Sequence, residues 1–202
     1  MSVDVSARQA QLLGQQPRLP PLAQDELAAE AVALVQRLRE VVSFPHDAPV
    51  HPVFATLCHS TGFFLPYLET GLRFLTDSSL SVRDRELAIL RTAWLCGAPY
   101  AWGEHVASAK QSGFTGEEIE RITEGSAAPG WGEHDRTVLK AAEELHIEAM
   151  VSDATWAALA QRFDEKQLIE LLMLVGHYHK VAFIQNSLRF SPREGNPGLS
   201  AR

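Results

Sequence analysis

Hydrophobic positions along this chain recur at intervals of three and four residues, the spacing of helices with one buried stripe. No run alternates apolar and polar residues over a useful length beside a partner, so strands are not expected. From Asp25 to about Val42 the pattern Leu27, Val32, Leu34, Val35, Leu38 and Val41 predicts a helix that Pro45 and Pro49 end. Short helices are expected from His51 to Cys58 and from Phe63 to Leu75. Leu87, Leu90 and Leu95, with the small Ala88 and Ala93, predict a largely buried helix, entered through a capping box of Ser81 and Asp84 and broken by Gly97 and Pro99. A second helix begins at Pro99 or Tyr100 and ends near Gly113, and Thr115 with Glu118 opens another. Residues 126–134, SAAPGWGEH, read as a loop. Helices follow over Asp135–Met150, Asp153–Arg162 and Glu165–Phe190, the last capped by Asp164 and Gln167.

The fold class is all-α, with a central antiparallel helix hairpin. The first twenty or so residues are polar, Pro-punctuated and without periodicity. The expected organisation is a mobile N-terminal arm over 1–22, one helical domain over 23–190 and a C-terminal tail over 191–202. A chain of 202 residues suffices for one core and is short for two independent domains.

Charge and cysteine content narrow the function. A formal charge of -7 and a pI near 5.6 give no basic footprint for nucleic acid. Neither an apolar run of membrane-spanning length nor a basic start followed by an apolar segment is present, so no membrane span and no secretory signal are expected. Two isolated cysteines make no disulfide framework, and a cytoplasmic location is the expectation.

The candidate chemistry lies in the hairpin. Glu86 stands about eleven residues before the turn and His105 about seven after it, roughly 16 and 10 Å along antiparallel axes. Glu86, Leu90, Ala93 and Gly97 share one helical stripe; Ala98, Ala101, His105 and Ala109 share the other. Small residues around an acid and an imidazole leave space for a ligand. A plainer reading also exists, in which Glu86 pairs with Arg83 three residues earlier on the helix surface. Glu104 points to a different face from His105 and reads as a surface residue. A second constellation is His177, Tyr178 and His179, with Glu170 seven residues before His177 and Asn186 seven after His179. Residues two apart on a helix face away from each other, so at most one of the two histidines enters a given pocket. A lone His-x-His does not converge on a metal, and no metal site is expected. His134 and Asp135 are candidates for the rim of a pocket.

The motifs Arg85-Glu86-Leu87, Leu90-Arg91-x-Ala93, Tyr100-x-Trp102-x-x-His105 and Ala109-x-x-x-Gly113 to Glu118-Ile119 resemble the carboxymuconolactone decarboxylase and alkylhydroperoxidase D superfamily. The resemblance is clearest over residues 51–125. Glu170-Leu171-Leu172 and Val175-Gly176-His177-Tyr178-His179 resemble the additional helices of its longer members. It implies an alkylhydroperoxidase D-like helical bundle. In the peroxidatic branch the pattern is Glu, eleven residues, Cys, two residues, Cys, three residues, His. Here Glu86 and His105 fill the outer positions, but Ala98 and Ala101 stand where the cysteines belong, and alanine can neither attack a peroxide nor resolve a sulfenic acid.

What the resemblance implies is therefore a cofactor-independent decarboxylase-like enzyme acting on a small carboxylated lactone or related acid. His105 would be the acid/base and Glu86 its orienter or counter-base, with Arg91 or Arg85 holding the substrate carboxylate. Tyr100, Trp102, His177 and His179 are the substrate-binding candidates. One alternative is an alkylhydroperoxidase-type antioxidant protein using Cys96 with an external thiol. Another is a non-catalytic oligomeric protein that binds a small molecule. The expected partners are a small-molecule substrate and further copies of the chain, as a dimer, trimer or hexamer. Trp94, Trp102, Phe63, Phe64 and the His177 helix supply more large apolar surface than a small helical monomer needs.

Overall fold

The computed structural model describes residues 4–41 and 48–202, and within them every regular element is a helix. In chain order these are α1 (Val5–Leu12), α2 (Ala29–Val41), α3 (Pro52–Leu57), α4 (Thr61–Thr76), α5 (Val82–Leu95), α6 (Pro99–Gln111), α7 (Gly116–Glu124), α8 (Glu133–Glu148), α9 (Asp153–Leu159) and α10 (Glu165–Leu188). Short 3-10 turns occur at Gln24–Glu26, Cys58–Ser60 and Gly198–Ser200. The helix expected from Asp25 begins at Ala29, because Asp25 is taken up by the first of these turns. Its expected end at Val42 and the Pro45 stop lie outside the described residues.

The chain divides into two compact units, Pro17–Ser78 and Met1–Gln16 with Ser79–Arg202. The smaller unit buries Leu34 and Val35 of α2 against Phe64, Leu68 and Leu72 of α4, with Val50, Ala55 and Cys58 filling in.

The larger unit is organised by α5, which packs against α6, α7, α8 and α10. Asp84 and every residue from Glu86 to Trp94 are buried. A helix enclosed on all sides is expected to be apolar all round, yet α5 buries Asp84, Glu86, Arg91 and Thr92. Each of these must find a partner inside the protein, since an unpaired buried polar group costs about 1–3 kcal/mol. Those obligations fix where the surrounding helices sit. Asp84 accepts from the imidazole Nε2 of His134 at 2.6 Å, and the Thr92 hydroxyl donates to the Ala88 carbonyl at 2.8 Å.

The chain reverses sharply after α5. Gly97 N–H donates to Trp94 O and Ala98 N–H to Ala93 O, both at 2.9 Å, and Gly97 adopts φ 55°. This paired closure of a helix C-terminus needs a left-handed residue, which glycine supplies without a Cβ penalty. Pro99 then starts α6.

Both ends of the described chain pack on the larger unit. Residues 5–12 form α1, whose Leu12 is buried and whose Arg8 Nη2 donates to Cys96 O at 3.2 Å. At the other end Leu199 is fully buried, and Trp102 Nε1 donates to Ala201 O at 3.1 Å. Gly103 leaves room for this segment: a Cβ there would stand 1.7 Å from Asn196 Oδ1. These segments attach through scattered contacts rather than a stripe, which is why they carry no periodic signal.

Candidate active site

Glu86 is 0 % exposed. Its Oε2 lies 2.9 Å from His105 Nδ1, and its Oε1 accepts from the Ser108 hydroxyl at 3.2 Å. The hairpin therefore brings the acid and the imidazole together as the spacing predicted. Arg83, the other partner considered for Glu86, instead holds Glu118 at 2.6 Å and Asp135 at 2.7 Å. The cation beside Glu86 is Arg85, whose Nε lies 3.9 Å from Oε1.

The third member comes from α10. Tyr178 Oη lies 2.9 Å from His105 Nε2, and the two rings meet edge to face with centroids 4.9 Å apart. Glu86 is an acceptor when ionised, so it fixes the proton of neutral His105 on Nδ1 and leaves the Nε2 lone pair to accept the phenol O–H. The result is a chain of three groups, carboxylate, imidazole and phenol, with the carboxylate end sealed. Sequence reasoning placed Tyr178 in a recognisable motif but assigned the pocket to the histidines on either side of it. The available signal was the 100° step between neighbours on a helix, by which a buried Tyr178 turns both flanking rings elsewhere.

The remaining candidates separate from this set. Arg91 is buried and spent: Nε donates to Glu143 Oε1 at 2.8 Å, and Nη1 donates to the carbonyls of Ile122 and Thr123 at 2.9 Å each. Burial pulls its pKa down and Glu143 opposes the shift. It closes the C-terminal end of α7 rather than presenting a fork to a substrate carboxylate. Trp102 is a core residue packed against Trp94 at 5.0 Å between ring centroids. Tyr100 is half-buried at the start of α6, and its carbonyl accepts from Asn196. Glu104, expected on the surface, is part-buried and bonds to Asn196 and Arg193.

His177 is buried with its ring 5.6 Å from that of Tyr178, and burial pushes its pKa down to about 4, assisted by Lys180. It is held neutral beside the triad. Glu170 accepts from the backbone and hydroxyl of Ser79 at 2.7 and 3.0 Å, so it does not form a polar wall with His177. Asn186 donates to the carbonyls of Cys96 and Gly97. His134 is taken by Asp84, as described, and Asp135 by Arg83. His179 turns toward His146, with 3.0 Å between its Nε2 and His146 Nδ1.

Cys96, the alternative redox centre, is buried, and burial pushes its pKa up to about 11 against a smaller opposing effect of Arg8. A thiol so held is protonated at neutral pH and a poor nucleophile. The chain's other cysteine, Cys58, belongs to the smaller unit. Ala98 and Ala101 are both buried on the α6 stripe that carries His105.

Residues 64–144 match the model of the carboxymuconolactone decarboxylase family. Solved structures share the fold. An alkylhydroperoxidase AhpD core, an uncharacterized peroxidase-related protein from Ralstonia eutropha JMP134, is 17 % identical with a TM-score of 0.73, over 88 % of this chain and 93 % of that one. An uncharacterized peroxidase-related protein from Silicibacter sp. TM1040 is 15 % identical with a TM-score of 0.73, over 91 % and 97 %. The debrominase Bmp8 in complex with 2,3,4-tribromopyrrole is 12 % identical with a TM-score of 0.69, over 91 % and 95 %. No curated protein is significantly similar in sequence. No described helix is long and apolar enough to cross a membrane.

Proposed function

We propose, from the match of residues 64–144 to the carboxymuconolactone decarboxylase family model and the shared fold, that the chain is a member of that family and a cofactor-independent acid/base enzyme. Its substrate is a small carboxylated lactone or related acid, and the reaction is decarboxylation. The observation that carries this reading is the linear array Glu86–His105–Tyr178, in which each hydrogen bond is 2.9 Å long. Such an array moves protons and holds no electrons.

In the reaction the bond between the ring carbon and the substrate carboxylate breaks. CO2 leaves, and the electron pair stays on the ring as an enolate. A proton taken up from water on His105 Nε2 turns that N–H onto Tyr178 Oη and frees the phenol O–H to hydrogen-bond the developing oxyanion. The proton passed to carbon through Tyr178 is then replaced from the imidazolium, which returns to neutral. Glu86 keeps its charge and stabilises the imidazolium that forms in transit, the role a buried carboxylate plays behind a catalytic histidine. Arg85 supplies positive charge near the entering carboxylate.

Two observations weigh against peroxidase chemistry. Alanine occupies both cysteine positions of the peroxidatic pattern, and the Cys96 thiol is held in its protonated form. Self-association accompanies the proposal: Ile169, Met173 and Phe183 are exposed within one face of α10. Of the residues expected to supply such surface, Phe64, Trp94 and Trp102 are interior and Phe63 is exposed. The test is to incubate the protein with γ-carboxymuconolactone and follow CO2 and product by mass spectrometry. Stoichiometric CO2 supports the reading, and an unchanged lactone rejects this substrate.

A further inference from the structure

We propose that Cys96, His146 and His179 form a binding site for one transition-metal ion of the zinc class. The three residues come from separate elements: the C-cap of α5, the last turn of α8 and the middle of α10. Their ligand atoms all lie within 4.8 Å of one another. Cys96 Sγ is 4.0 Å from His146 Nδ1, which is 3.0 Å from His179 Nε2. A tetrahedral ion with Zn–S near 2.3 Å and Zn–N near 2.0–2.1 Å needs separations of about 3.6 Å and about 3.3 Å for those two pairs. Shifts of a few tenths of an ångström bring those two pairs to that geometry, and the third pair, Cys96 Sγ with His179 Nε2, lies within 4.8 Å and closes by up to about 1.2 Å through rotation of the Cys96 and His179 side chains.

The surroundings prepare these atoms for an ion. His179 Nδ1 lies 2.9 Å from the carbonyl of Val175, which can only accept, so Nδ1 carries the proton and Nε2 presents its lone pair. A histidine whose far nitrogen is tied to a carbonyl is the usual outer-shell arrangement of a metal ligand. The Cys96 backbone is held in place by Arg8 and Asn186, both donating to its carbonyl. Binding replaces the thiol proton: the S–H bond breaks, the proton goes to solvent, and the sulfur lone pair coordinates the ion.

Thiolate with two imidazoles suits Zn2+ and disfavours Mg2+ and Ca2+, which require oxygen ligands. His146 is exposed, so the site opens to solvent, and three protein ligands leave a fourth position for water or a small solute. The site shares no ligand with the Glu86–His105–Tyr178 array and does not depend on the decarboxylase reading. The reach of His179 across to α8 is what a search for two histidines on one helix overlooks.

The test uses chelator-stripped full-length protein titrated with Zn2+ in competition with a chromogenic indicator, and with Co2+ as a spectroscopic probe. The expected result is one ion per chain, with affinity weakened at least about a hundredfold in His146→Ala and in Cys96→Ser. Co2+ should give a thiolate-to-cobalt charge-transfer band that is absent in Cys96→Ser. His146 is exposed, so its variant is expected to fold, and the cobalt band is read on the unaltered chain. The proposal is overturned if the parent binds neither ion, if cobalt binds without a thiolate band, or if His146→Ala binds Zn2+ as tightly as the parent. Those outcomes would leave the pair as two imidazoles joined by a hydrogen bond between His146 Nδ1 and His179 Nε2.

Discussion

Lowering the pH tests how His177 is held. Its imidazole is buried, with a pKa pushed down to about 4 by desolvation and by Lys180, while the unfolded chain titrates near 6.5. Between those values the unfolded state binds the proton and the folded state does not, so stability falls as pH falls through the window from 6.5 to 4. Integrated from about pH 7.5 to about pH 5, the linkage amounts to about 2 kcal/mol from this one group. The perturbation is His177→Gln, which removes the titration while keeping a polar side chain of comparable length. Urea unfolding followed by circular dichroism, for parent and variant at both pH values, gives four free energies. The carboxylates and other histidines contribute to both proteins and cancel in the double difference, which should be about 2 kcal/mol with the parent losing more. A double difference below about 0.5 kcal/mol would refute the assignment, because His177 would then be as easily protonated in the fold as out of it.

Tyr178→Phe removes one hydroxyl and keeps the ring that packs against His105; it should cost about 1 kcal/mol of stability and lower kcat at least about a hundredfold, measured by unfolding and turnover on the same preparation. Glu143→Ala leaves the Arg91 guanidinium buried without its carboxylate and should destabilise the fold by about 3 kcal/mol in a urea titration. A Cys96 thiol held protonated should react slowly with iodoacetamide near neutrality, faster only as pH approaches 11, and Cys96→Ala should leave peroxide consumption at the parent's level.

The central hairpin was legible in sequence because its signals are local. Gly97 and Pro99 mark the reversal, Ser81 the cap, and the residue counts on either side bring Glu86 level with His105. What escaped depends on long-range packing. Tyr178 meets His105 across 73 residues, and its neighbours His177 and His179 carry the same chemical promise in one-dimensional form. Arg91 looked available for a substrate because its partners are Glu143, 52 residues away, and two carbonyls, which leave no sequence signature. The ends of the chain carry no periodic signal because they are held by scattered contacts, among them Arg8, Leu12, Leu199 and Ala201, and not by a repeating stripe.

The most direct test of the acid/base array is His105→Ala assayed on a lactone the parent turns over, with and without added imidazole. The account predicts that the variant folds, that turnover falls at least about a hundredfold, and that imidazole restores part of it by replacing the missing base between Glu86 and Tyr178. A variant that decarboxylates at the parent's rate would contradict the account, because the proton would then travel without the group on which the array turns.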